Sequence, residues 1–90
     1  MEWLSEKKDV IEIDREGFEE WLGFPCDIEA DEEILSVECF HVEALYGDDG
    51  EGDDFYRGTA NVLREIAQVT DVTVNGWSYE IVFTKALKLI

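Results

Sequence analysis

The sequence predicts a small α+β domain in the order β-α-β-α-β-β: a mainly antiparallel sheet, two helices packed on one face, and a C-terminal β-hairpin. Three observations predict it. Residues 72–83 alternate apolar and polar positions on both sides of Asn75-Gly76, the pair a tight hairpin turn prefers. From Phe55 to Val69 apolar residues recur at helical spacing. A shorter helical stripe, Phe18, Trp21 and Leu22, lies between Asp14 and Gly23-x-Pro25.

Taken in order, Asp9–Ile13 reads as a short strand. Asp14 is placed to cap a helix that buries its aromatic stripe and turns Glu16, Glu19 and Glu20 outward, with Glu16 favourable to the helix dipole. Asp27–Glu33 reads as an acidic connector. A strand from about Ile34 to Tyr46 changes the parity of its apolar residues near Cys39–Phe40, the mark of a bulge or of burial on both faces. Gly47–Asp54 is a second acidic loop, and Asp53 or Asp54 caps a helix of about 15 residues. Its face is Phe55, Thr59, Val62, Ile66 and Val69. In the hairpin, Val74 faces Trp77 and Val72 faces Tyr79, and the last strand runs on toward Leu89. The hairpin and second helix supply most of the core, with Trp3 and Trp21 joining it.

Ninety residues, with neither linker nor repeat, make one domain over 1–90. A hydrophobic content of 46% is too high for a disordered acidic tail. No apolar run reaches the roughly 18 residues of a membrane span, and the N-terminus lacks the order of a signal peptide. A cytoplasmic location is expected. Cys26 and Cys39 then read as small buried hydrophobes with reduced thiols.

Charge is the most informative feature. Residues 1–54 hold 20 of the 23 acids against three cations, a net of −17; residues 55–90 have a net of +1. Solubility does not require such polarity. Direct nucleic-acid or anionic-membrane binding is excluded by repulsion, and a basic protein partner is favoured. Surface scaling gives about 5,400 Å² for this mass. With −17 on half of it, there is one charge per about 160 Å², the same order as duplex DNA at one per about 1.7 Å of axis.

Catalytic and metal readings are weaker. Phosphate loops, nucleophile elbows and metalloprotease motifs are missing from the sequence. Cys39 and His41, with Cys26, match no standard zinc spacing. An EF-hand started at Asp49 fails at its sixth and twelfth positions, Asp54 and Ala60. Neither an enzyme nor a cofactor or metal site is expected.

In size and charge the chain resembles small acidic inhibitors found among phage anti-CRISPR and anti-restriction proteins and among immunity proteins of nuclease toxins. The reading favoured is a stoichiometric, DNA-mimicking inhibitor of a basic nucleic-acid-binding protein, a nuclease or defence effector. An immunity protein or antitoxin, and a domain adapted to high salt, are the alternatives. The partner-binding candidates are Asp27, Glu29, Asp31, Glu32 and Glu33 in the connector, and Asp48, Asp49, Glu51, Asp53 and Asp54 in the second loop. Tyr46 and Tyr56 flank that loop as aromatic anchors. Oligomeric state is not legible.

Overall fold

The computed structural model describes residues 2–23, 25–38, 51–75 and 78–90, excepting the side chains of 51–55. Strands β1 (Leu4–Glu6) and β2 (Val10–Ile13) precede helix α1 (Arg15–Leu22), and β3 (Asp27–Asp31) and β4 (Ile34–Glu38) follow it. Helix α2 (Glu51–Arg64) leads to β5 (Val69–Asn75), β6 (Ser78–Phe83) and β7 (Ala86–Leu89). The α+β class and the C-terminal strands are as the sequence implies.

The strands form two sheets rather than one, ordered β1-β2-β7 and β3-β4-β6-β5. Among the described residues only β2 and β7 pair in parallel. The final strand does not run through to Leu89. It breaks after Phe83, where Thr84 N–H donates to Gln68 O (2.9 Å) and Leu87 N–H to Glu32 O (2.7 Å). Crossing to the other sheet sets Leu87 and Leu89 opposite Ile11 and Ile13, so one face of β7 meets apolar partners while Lys88 on the other faces Glu12. β1 was not expected; it carries Trp3 into the core, 2% exposed.

Helix α1 starts and stops at the residues the sequence marks. Asp14 is the N-cap but makes no side-chain cap bond, and Gly23 closes the helix at φ 107°. Phe18 meets Trp3 edge-on at 4.9 Å, with Trp21 packed on both.

The acidic connector is in fact a strand for most of its length. Ile28 and Ala30 alternate inward opposite Val37 and Leu35, and the carboxylates occupy the outward parity. Burial of one apolar parity outweighs the low strand preference of Asp and Glu. Glu32 and Glu33 make the turn, Glu32 with a left-handed φ of 54°.

Helix α2 begins at Glu51, so Asp53 and Asp54 lie inside its first turn instead of capping it. Its buried stripe is Tyr56, Ala60 and Leu63, while Val62 is 43% exposed. The stripe is therefore turned one residue, about 100°, from the one expected. Two apolar stripes compete on this helix, and packing against the sheet buries the one with Tyr56, Ala60 and Leu63. Val69 belongs to β5.

The hairpin keeps its inward set but not its register. Val74 pairs with Tyr79 and Val72 with Ile81, closing on Asn75↔Ser78, so the two connecting residues are 76 and 77. The slide is by two positions, which preserves the face each side chain occupies. Val72, Tyr79, Ile81 and Phe83 are all buried. The N-terminal elements and the β3–β4 pair contribute as much core as the hairpin and α2, from Ile11, Ile13, Phe18, Leu22, Leu35 and Val37 among others. The expected bulge near Cys39–Phe40, the strand beyond Glu38 and the 47–50 part of the second loop fall outside the described residues.

Candidate acidic binding face

The four-stranded sheet buries one face and shows the other to solvent. Ladder pairing lines up three outward rows: Asp27, Glu38, Ser78, Asn75; then Glu29, Ser36, Glu80, Thr73; then Asp31, Ile34, Val82, Asp71. Six of these twelve positions are carboxylates and none is Lys, Arg or His. All six acids are exposed, while Ile34, Val82 and Ser78 are half-buried. Four strands about 4.8 Å apart and five residues long cover about 320 Å². That gives one negative charge per about 50 Å², denser than the whole-surface value that the sequence implies. Asp27 and Glu38 are direct cross-strand neighbours, an arrangement that costs stability.

The lysines are elsewhere. Lys7 and Lys8 lie between β1 and β2, Lys85 precedes β7, and Lys88 faces Glu12 across the three-stranded sheet. Both ion pairs among the described residues are at this end, Lys7–Glu12 at 3.8 Å and Lys85–Glu6 at 2.8 Å. Hydrogen bonds from Lys85 and then Gln68, reinforced by the Lys85 charge, hold the Glu6 carboxyl below its ordinary value. Arg15 borders an open cleft with Asp27, Glu29 and Glu38.

Arg64 serves the fold. Its guanidinium donates to Val72 O (2.9 Å) on the outer side of β5 and to Asn61 Oδ1 (3.1 Å). An irregularity between Val69 and Asp71 also disturbs this strand. Guanidinium and bulge together blunt an edge that would otherwise recruit another strand. On the other side of the sheet, the β3–β4 turn is held against 83–87 by Phe83 N–H to Glu33 O (2.8 Å) and Leu87 N–H to Glu32 O (2.7 Å).

Of the sequence candidates, Asp27, Glu29 and Asp31 share the sheet face, and Glu32 and Glu33 extend it at the exposed turn. Glu51, Asp53 and Asp54 fall in the first turn of α2, while Tyr46, Asp48 and Asp49 lie outside the described residues. Tyr56 is 1% exposed with its ring 5.1 Å from Tyr79, so it is a core residue. Sequence reasoning missed Glu38, Asp71 and Glu80. The signal was present: they hold the outward parity of strands whose inward parity is apolar.

Among the described residues no three His, Cys, Asp or Glu side chains are grouped to hold a metal ion, and no helix is long and apolar enough to cross a membrane. No protein-family model, curated protein or solved structure matches the chain. What the face offers follows from its charge: it is electrostatically complementary to a surface rich in Lys and Arg.

Proposed function

We propose that the protein is a non-enzymatic, stoichiometric inhibitor that occupies the basic site of a nucleic-acid-binding protein, in the manner of phage anti-CRISPR or anti-restriction proteins. The observation that carries this reading is the sorting of charge in the fold. Six carboxylates and no Lys, Arg or His occupy the outward positions of one sheet face, bordered at one end by Arg15, while every lysine is at the other sheet. A domain acidic only for solvation in high salt has no need to segregate its cations in this way. An immunity protein that plugs a nuclease toxin would use the same chemistry, and the identity of the partner separates the two.

The test is capture from a lysate of the source cells at about 50 and about 500 mM salt, where screening shortens from roughly 14 Å to 4 Å. One basic nucleic-acid-binding protein, retained at low salt and released at high salt, is the expected result. Retention of no such protein at either salt refutes the inhibitor reading.

A further inference from the structure

We propose that the cleft between the N-terminal segment and α1 is a separate recognition site, which takes an arginine residue presented by a protein partner. The proposal goes beyond the inhibitor reading and does not depend on it. Glu2, Trp3, Asp14, Gly17, Glu20 and Trp21 line an open cleft of about 670 Å³. That volume is within the roughly 300–1,000 Å³ of small-ligand sites.

Three observations in the cleft point to a ligand. Trp3 is 2% exposed, and its indole Nε1 is buried with no acceptor. A buried tryptophan ordinarily finds a partner for this donor. Asp14 holds the N-cap position of α1, where a carboxylate ordinarily accepts from N–H groups of the first turn, yet it makes no such bond. Gly17 stands in that first turn, although alanine would favour the helix more. A Cβ there would lie 3.1 Å from Asp14 Oδ2 and 3.2 Å from Trp3 Cβ. The glycine thus leaves room for a carboxylate that the helix itself does not use.

The acids set the charge of the ligand, and the rest of the lining sets its shape. Among the described residues no Lys, Arg or His lines the cleft, and neither ion pair involves its three carboxylates. No three described acids are grouped closely enough to hold a metal ion, so the cleft does not frame a point charge. A guanidinium spreads five N–H donors over a plane, reaches carboxylates set apart, and stacks on an indole face. Trp21 supplies that face. It is half-buried, with its ring 5.5 Å from Trp3 and 5.7 Å from Phe18. The backbone of the same arginine brings a carbonyl, the acceptor that the Trp3 indole lacks. A lysine ammonium is compact and more strongly hydrated, and it has no plane to stack.

The test is nitrogen–proton correlation spectroscopy of the whole chain, titrated with acetyl-Gly-Arg-Gly-amide and with its citrulline and lysine counterparts. The arginine peptide should shift the Trp3 and Trp21 indole signals saturably. Citrulline, similar in shape but uncharged, should bind about tenfold more weakly, and lysine about threefold more weakly. Asp14→Asn keeps a capping residue and Glu20→Gln keeps the side-chain size. Together they should weaken the arginine peptide about tenfold at unchanged Tm, whereas Glu80→Gln on the sheet face should leave it unaffected. Indole signals that do not move, as when water alone completes Trp3, would overturn the proposal. So would a citrulline or lysine peptide that binds as well as the arginine one, or wild-type affinity in the Asp14→Asn/Glu20→Gln variant. The inhibitor reading fails separately, if lysate capture retains no nucleic-acid-binding protein.

Discussion

Replacing Glu38 by Lys should make the domain more stable while weakening its binding. Glu38 is directly opposite Asp27 and diagonal to Glu29. At cross-strand distances of about 5 Å and about 7.5 Å, each like-charge contact costs about 0.8 and about 0.5 kcal/mol in water-like dielectric. Reversing one charge turns both repulsions into attractions, a gross change of about 2.7 kcal/mol. Both side chains are exposed, so screening and side-chain entropy reduce this to a net gain of about 1 kcal/mol. For a domain of this size that is a rise in Tm of about 4–8 °C. Thermal unfolding followed by circular dichroism at about 20 mM salt reads it directly. At about 1 M salt, where the Debye length is about 3 Å, most of the gain should vanish. A fall in Tm at low salt would mean that Glu38 supports the fold, and the claim that its carboxylate is kept for binding would be wrong.

Other substitutions probe separate parts of the structure. Glu32→Gly relieves a left-handed φ of 54° and should raise urea stability by about 1 kcal/mol; unchanged or lower stability would count against strain there. Leu63→Ala should cost about 2–5 kcal/mol, whereas Val62→Ala should stay within about 0.5 kcal/mol, a contrast that tests which stripe of α2 faces the sheet. Glu6 has its folded pKa depressed by Lys85 and Gln68, so its stabilising contribution exists above the unfolded carboxylate value and disappears as pH falls through the folded one. The Tm difference between wild type and Glu6→Gln should therefore be present at about pH 7 and gone by about pH 3. A difference that persists in acid would show that the residue acts through packing.

The parts of the fold legible in the sequence are those fixed by local chemistry. Gly23 in the left-handed conformation ends α1 where a glycine before Pro25 should end it, and the inward parity of the hairpin survives its change of register. Non-local choices were harder. Nothing in residues 84–90 announces that this stretch leaves β6 to pair with Ile11 and Ile13, because an alternating apolar segment fits any sheet with a matching face. On α2 two stripes compete, and the sheet it packs on decides between them. The acidic face was half legible. Asp27, Glu29 and Asp31 stood out as a charge run whose loop-like composition masked its alternation. Glu38, Asp71 and Glu80 come from three other strands and become neighbours only through strand order. Charge counted by sequence half assigned Asp71 and Glu80 to the near-neutral part of the chain, and the fold brings them to the acidic face.

The central claim is that this protein and nucleic acid compete for one site on the same partner. The decisive measurement is a titration of the purified partner, bound to a labelled duplex of about 30 base pairs, with this protein at about 100 mM salt. Complete release of the duplex near one equivalent, with no species containing all three components, is the predicted result. A stable ternary complex, or a partner that keeps its duplex when this protein is in excess, would contradict the account.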